Sequence, residues 1–179
     1  MRIYLAGPFF NEKQLETIQL IEKEFDKHGL DYFSPRKGGG SIAHLPLEEK
    51  KKESKRIYDS NVEEMVKANV LFAVVDGRDT GTVYEMGYFK CLTVATPKPR
   101  YSITYTNENF GLNIMLKESV DAHVVGVGDL IKFAGLISSY WEKTGDLPPA
   151  IKDGIDWQDH IGRRQKILEQ FQNFNPDVE

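Results

Sequence analysis

The chain has 179 residues, 40% hydrophobic and 28% charged, which is long enough to bury one sizeable core and too short for two ordinary domains. Its formal net charge of −4, with basic residues scattered among acidic ones, excludes the concentrated positive field that a nucleic-acid polymer requires. A single cysteine, Cys91, excludes an internal disulfide framework.

The same composition bears on compartment and cofactors. The four histidines have no spacing typical of a metal site or a catalytic triad, so we expect them to be structural. No apolar stretch is as long as a membrane span, and the first residues resemble a strand rather than a signal. We therefore expect a cytoplasmic protein that is not attached to a membrane.

The first part of the chain alternates strand and helix patterns. Residues 2–6 form a short apolar strand pattern that Gly7 and Pro8 end, and Asn11 and Gly29 are suitable caps for the helix that follows. The later segments are a strand at 31–34, a glycine-rich loop at 36–46, and a charged helix at 47–68. Loops of this length often act as lids, so lid closure over a substrate is a hypothesis.

The second part continues the alternation. Residues 70–75 are continuously apolar, which is typical of a central parallel strand buried on both faces. The remaining predicted elements are a loop at 76–82, helices at 83–92, 112–117 and 128–141, and strands at 101–106 and 123–127.

This order predicts a doubly wound α/β fold, Rossmann-like or flavodoxin-like, over residues 1–141. It has a parallel sheet of about five strands with helices on both faces. Residues 142–179 form a C-terminal extension whose composition shifts after several glycines and prolines. We predict a helix at about 159–174 that packs on the domain or on a neighbouring subunit.

Ligands of open parallel sheets bind outside the carboxyl ends of the strands, which directs attention to the loops after the first and third strands. The second of these loops and its helix bring Asp76, Asp79 and Glu85 within ten residues. A carboxylate beside a sugar carbon can form a covalent glycosyl ester, and a second carboxyl can protonate the departing base. Glu85 and Asp79 are candidates for these two roles.

Each candidate also has an ordinary structural interpretation. Asp-Thr-Gly-Thr before a helix is a common N-cap, and a glutamate near the start of a helix favours its dipole without catalysis. Tyr4 could hydrogen-bond a carboxylate across the sheet, or it could be a half-buried strand tyrosine. Phe9 and Phe10 could form the wall of a base-stacking pocket, or they could anchor the next helix.

Four motifs in order carry a more specific signal: residues 3–10 (IYLAGPFF), 33–36 (FSPR), 79–87 (DTGTVYEMG) and 112–115 (LNIM). With this order and spacing the chain resembles the nucleoside 2-deoxyribosyltransferases over about residues 1–140. The resemblance implies that deoxynucleosides and free nucleobases are the substrates, and that neither a metal nor an organic cofactor is needed. It also implies a homo-oligomer with sites built between subunits.

The resemblance also implies roles for individual residues. Glu85 would attack the anomeric carbon, Asp79 would bind and protonate the base, and Tyr4 would orient the nucleophile. Asn113 would reach the site from an adjacent subunit. The other residues expected to bind substrate are Gly7, Pro8, Phe9, Phe10, Asn61 and Gly81. Asn61 stands where many members carry an aspartate, and an amide can hydrogen-bond there but cannot donate a proton in the same way.

Two other functions remain open from the residues. One is an N-glycosidase of 2'-deoxynucleoside 5'-monophosphates, in which water is the acceptor. Relatives of that kind bind phosphate with a serine- and arginine-bearing loop after the first strand, where this chain has Gly7-Pro8-Phe9-Phe10. The other is a non-catalytic nucleotide-binding module that has the same fold.

Overall fold

The computed structural model describes residues 1–38, 42, 45–107 and 112–145, which form alternating strands and helices as the sequence predicts. The strands are β1 (Ile3–Ala6), β2 (Tyr32–Phe33), β3 (Val70–Val74), β4 (Tyr101–Thr106) and β5 (Ala122–Val125). The helices are α1 (Glu12–Lys27), α2 (Pro35–Gly38), α3 (Leu47–Lys67), α4 (Thr80–Ala95), α5 (Ile114–Ser119) and α6 (Gly126–Thr144).

The five strands form one sheet in the order β2-β1-β3-β4-β5, and every pair is parallel. This order is the flavodoxin-like variant of the doubly wound fold, so the predicted fold class is confirmed. The chain reverses its direction of winding between β1 and β3. The loops that follow these two strands therefore diverge and leave a crevice at their carboxyl ends.

Each face of the sheet has its own apolar core. On one face α1 and α6 cover a cluster centred on the aromatic side chains of Phe25, Phe72 and Phe133. On the other face the core contains Tyr4 and Phe89, with side chains from α3, α4 and the start of α5. All five β3 residues are buried, which explains the continuous apolar run at this position.

Local capping follows the sequence where the signals are strong. The Asn11 side chain accepts a hydrogen bond from the Gln14 N–H at the start of α1, and Gly29 follows the helix end with a φ of 63°. Both predicted caps are confirmed. This helix start lies beside the carboxyl end of β1 and supports the crevice.

Several predicted boundaries were wrong. Helix α4 begins at Thr80 rather than 83, because Asp79 caps it, and it continues to Ala95 rather than 92. The last strand starts and ends earlier than predicted, since Gly126 turns the chain with a φ of 70° and opens α6. The predicted loop at 36–46 begins with the short helix α2. The glycines 39 and 40 and the predicted helix at 159–174 lie outside the described residues.

Candidate active site

A cavity of about 570 Å³ lies at the carboxyl end of β3, between the start of α4 and α5. Its walls are largely apolar, with a few polar side chains, which is the usual character of a small-molecule site. The residues that line it are Val74, Val75, Arg78, Asp79, Thr82, Val83, Leu112, Asn113, Met115 and Leu116. They come from the end of β3, the β3–α4 loop, the first turn of α4, and α5 with the two residues before it.

Glu85 and Tyr4 form a direct pair. The Tyr4 hydroxyl donates a 2.6 Å hydrogen bond to Oε1 of Glu85, although the two residues are 81 positions apart in sequence. Tyr4 is completely buried in β1, and its ring stacks on Phe33 with centroids 5.7 Å apart. The phenol is therefore rigidly held, and it fixes one oxygen of the Glu85 carboxylate.

The surroundings of Glu85 disfavour its charged form. Burial raises the pKa of Glu85 to about 7 from an ordinary 4.5, the Tyr4 hydrogen bond opposes this rise, and the negative charge of Asp79 adds to it. Burial and the neighbouring carboxylate also raise the pKa of Tyr4, so the phenol stays protonated and remains the donor. A buried carboxyl whose pKa lies near neutral pH is a typical feature of a functional site.

Asp79 is the N-cap of α4, as the structural interpretation of its motif requires. Its Oδ2 accepts hydrogen bonds from the Thr82 N–H at 2.7 Å and from the Thr82 hydroxyl at 2.9 Å. Gly81 makes this geometry possible, because a Cβ at that position would lie only 3.1 Å from Oδ2. The carboxylate is thus fixed at the cavity wall, six residues before Glu85 on the same helix.

Asp76 does not join the other two carboxyls. Its side chain accepts hydrogen bonds from the Thr106 hydroxyl and, at 2.9 Å, from the Asn107 N–H. It therefore ties the end of β3 to the end of β4 and lines a separate, smaller cavity of about 150 Å³. Of the two aspartates, only Asp79 affects the pKa of Glu85.

The residues of the loop after β1 make mainly packing contacts. A Cβ on Gly7 would lie 2.7 Å from Cδ1 of Ile18 and 2.9 Å from Cβ of Val74, so glycine is needed where this loop crosses α1 and β3. Pro8 is buried at the smaller cavity. Phe9 and Phe10 stack on each other with centroids 5.3 Å apart, and Phe10 is 75% exposed.

The two predicted asparagines occupy different positions. Asn61 is half-buried on α3 and does not line the large cavity. Asn113 is the N-cap of α5, where its Oδ1 accepts a 2.9 Å hydrogen bond from the Met115 N–H. It lines the same cavity as Asp79 of its own chain. The structure therefore brings Asp79 and Asn113 to one cavity, with the Glu85–Tyr4 pair farther along α4.

Sequence reasoning missed two polar residues of the cavity wall. Arg78 directly precedes Asp79 in the loop, and its position beside a candidate acid was the available signal. Thr82 was interpreted only as a capping residue, but its side chain contacts Asp79 in a buried position. In the described parts of the chain, no group of three or more histidine, cysteine, aspartate or glutamate side chains could hold a metal ion. Nor does any helix there have the length and apolar character needed to span a membrane.

Comparison with known proteins identifies the family of this chain. The profile of the nucleoside 2-deoxyribosyltransferase family matches residues 3–122. A solved structure of a 2-deoxyribosyltransferase from Bacillus psychrosaccharolyticus is 25% identical with a TM-score of 0.63, covering 74% of this chain and 92% of its own. An uncharacterised protein of Ureaplasma parvum serovar 3 is 27% identical over 138 residues, which are 71% of this chain and 82% of that protein. The chain belongs to the nucleoside 2-deoxyribosyltransferase family.

Proposed function

We propose that the protein transfers the 2-deoxyribosyl group from a deoxynucleoside to a free nucleobase, with Glu85 as the nucleophile. The observation that carries the proposal is the Glu85–Tyr4 pair, in which a buried phenol holds one oxygen of a carboxylate whose pKa is about 7. The other oxygen is then left to attack. Family membership and the likeness to a known 2-deoxyribosyltransferase support the same reaction.

The proposed first half-reaction forms an ester. A carboxylate oxygen of Glu85 bonds to C1' of the sugar as the C1'–N bond breaks, and the bond's electron pair goes to the base nitrogen. Asp79 supplies a proton to the departing base, which would otherwise leave poorly. Its place on the cavity wall suits this role if the base occupies the cavity and the sugar extends toward Glu85.

The second half-reaction reverses these steps with a new base. A ring nitrogen of the incoming base attacks C1', the ester bond breaks, and Glu85 is released as a carboxylate. The proton of the incoming base returns to Asp79. Because C1' is displaced twice, the configuration at the anomeric carbon is retained.

The decisive assay separates transfer from its alternatives. Thymidine is incubated with free adenine, and new nucleoside, free base and free sugar are followed by chromatography. Formation of 2'-deoxyadenosine supports the transferase. Free deoxyribose without exchange would indicate an N-glycosidase, and the absence of any product would indicate a binding module.

The nucleophile is tested by Glu85→Ala, with Glu63→Ala as a matched control because Glu63 is exposed on α3. We expect Glu85→Ala to abolish exchange and Glu63→Ala to retain it, with both variants folded by circular dichroism. Mass spectrometry of the wild-type protein quenched with thymidine should show an added deoxyribosyl group on the peptide that contains Glu85. Substantial exchange by Glu85→Ala would remove Glu85 from this role.

The pH dependence gives a further check. With 7-methyl-2'-deoxyguanosine as the donor, the base leaves without a proton from Asp79, so only the nucleophile must be in a particular protonation state. It must be ionised, and kcat/KM for this donor reports its pKa in the free enzyme. With a pKa of about 7, only about a tenth of Glu85 is ionised at pH 6, so kcat/KM should rise about tenfold per pH unit below neutrality. It should level off above about pH 8. A rate that already reaches its plateau at pH 5 would contradict the raised pKa.

We also propose a homo-oligomer, as the family resemblance implies. Large apolar side chains are exposed on α3, α4 and α5, including Tyr58 (52%), Tyr84 (53%), Ile114 (70%) and Met115 (75%). Exposed apolar patches of this kind mark association surfaces. Light scattering after gel filtration should give a mass above that of one chain, and Met115→Glu should reduce that mass. A monomeric wild-type protein would contradict this proposal.

A further inference from the structure

Arg78 occupies a distinctive position at the large cavity. It lies between β3 and the Asp79 N-cap, and it lines the same cavity as Asp79. Among the described residues that line this cavity it is the only basic side chain. A side chain that only donates hydrogen bonds thus stands next to the carboxyl to which we assign base protonation.

The backbone at Arg78 would be better suited to glycine. Its φ of 53° lies in the left-handed region, and so does that of Gly77 at 84°. The Arg78 N–H reaches the Val75 carbonyl at 3.5 Å, and the side chain of Asp76 ties the turn to the end of β4. Non-glycine residues adopt this conformation at an energetic cost, and such outliers cluster at functional sites. A function of the arginine side chain would explain why this strained position carries an arginine rather than a glycine.

Arg78 is exposed to solvent, and its guanidinium carries only donors, so a ligand in the cavity can pair with it only through acceptors. Within the described parts of the chain, the structure gives the Arg78 side chain no hydrogen-bonding or ionic partner. Its neighbour Asp79 delivers a proton to the base in the proposed mechanism. Together the two side chains present two adjacent donors toward a base, and the complementary edge must carry two adjacent acceptors.

Purines differ in the hydrogen-bonding groups that they carry at the edge formed by N7 and the substituent at C6. In a 6-oxopurine such as hypoxanthine or guanine, N7 and O6 are both acceptors, whereas adenine has N7 as an acceptor and an amino group at C6 as a donor. We propose that Arg78 donates to O6 while Asp79 protonates N7, so that the enzyme prefers 6-oxopurines to 6-aminopurines. This inference rests on the proposed function, and it names the substrate class of the same site.

The preference follows from a mismatch with adenine. Its C6 amino group would face the guanidinium donors, so the hydrogen bond that a 6-oxo group would accept is lost. Sites that hydrogen-bond a substrate group reject analogues that cannot supply the partner. By microscopic reversibility, the same preference applies to the departing and to the incoming base.

The test compares acceptor bases that differ only at C6. With thymidine as donor, kcat/KM is measured for hypoxanthine against adenine, and for guanine against 2,6-diaminopurine. The variant is Arg78→Gly, which removes the side chain and suits the left-handed backbone, so it should fold at least as well as the wild type. Lys132→Gln on α6 is the control for loss of a positive charge.

We expect the wild type to favour the oxo base of each pair, and Arg78→Gly to reduce both ratios about tenfold, as for the loss of one base-specific hydrogen bond. Lys132→Gln should leave both ratios unchanged. An equal loss of rate with oxo and amino bases, or no change in the ratios, would overturn the proposal. So would a preference of the wild type for adenine.

A binding measurement separates failure of this inference from failure of the proposed function. Calorimetry without any donor nucleoside measures the affinities for hypoxanthine and adenine directly. Arg78→Gly should reduce the ratio of these affinities about tenfold, even if no exchange occurs. Titration with 2'-deoxyinosine and its 5'-monophosphate completes the test. If Arg78→Gly weakens only the monophosphate, the guanidinium binds phosphate and the proposal is wrong.

Discussion

Substitution of Glu85 by glutamine should stabilise the protein at neutral and alkaline pH. The pKa of this carboxyl is about 7 in the folded protein against an ordinary 4.5. Folding therefore favours the protonated form. The associated stability is complete below about pH 4.5 and is lost as the pH rises through about 7. Glutamine is neutral at every pH and retains an oxygen that can accept the Tyr4 hydrogen bond, so it does not incur this loss.

The magnitude follows from the shift. A difference of about 2.5 pKa units corresponds to about 3 kcal/mol at a pH above both values. At pH 5 the same linkage gives under about 1 kcal/mol, because pH 5 lies only about half a unit above the ordinary pKa of 4.5. The free energy of unfolding of Glu85→Gln should thus exceed that of the wild type by a margin that grows by about 2.5 kcal/mol between pH 5 and pH 8.

Urea denaturation of both proteins at several pH values measures this margin, provided that the slopes with denaturant agree. Glu63→Gln, an exposed substitution on α3, is the matched control and should show a small, pH-independent difference. A margin for Glu85→Gln that does not change with pH would refute the reasoning, because it would place the carboxyl in ordinary contact with solvent.

Further predictions concern the neighbours of Glu85. Asp79→Asn removes a negative charge that raises the pKa of Glu85, so that pKa should fall. In this background, the pH range over which Glu85→Gln gains stability should move to lower pH. The rise of any remaining exchange activity with pH should move in the same direction. The same variant should transfer from 7-methyl-2'-deoxyguanosine far better than from 2'-deoxyguanosine, because the methylated base leaves without a proton. Thr82→Val removes one of two hydrogen bonds to Asp79 and should lower the free energy of unfolding, measured by urea denaturation, by about 1 kcal/mol. Thr82→Ser keeps the hydroxyl and should keep this stability. Equal losses in the two variants would show that the hydroxyl is not the cause. Gly7→Ala should destabilise by about 1–3 kcal/mol, since its Cβ would lie 2.9 Å from that of Val74, and an unchanged unfolding midpoint would contradict this packing.

The fold was predictable because its signals are local and agree with one another. The continuously apolar β3 and the Asn11 and Gly29 caps around α1 report directly on burial and backbone conformation. The flavodoxin-like strand order was not separated from the Rossmann-like order, because it depends on which strands pair across the sheet. The end of β5 was misplaced because Gly126 permits a left-handed turn that an apolar pattern does not reveal.

The candidate site was predictable in part. The sequence motifs identify Glu85, Asp79 and Tyr4, and the structure places the first and last of these in one 2.6 Å hydrogen bond across 81 positions. Asp76 lies within ten residues of Glu85 in sequence, but its side chain is bound at the end of β4 instead. Arg78 escaped prediction because its significance lies in a positive φ and a shared cavity, which residue order alone does not encode.

The capping and catalytic interpretations of Asp79 are compatible, because they use different properties of one side chain. A carboxylate in a surface loop would ordinarily sample several rotamers, but here the cap fixes it through two donors from Thr82, both on Oδ2. Gly81 leaves room for that arrangement, and the result is a carboxyl whose second oxygen is held in a defined place at the cavity wall. Catalytic groups need this kind of preorganisation. An ordinary helix cap therefore supplies the rigidity that a base-protonating acid requires, and the frequency of such caps in other proteins is no argument against its role here.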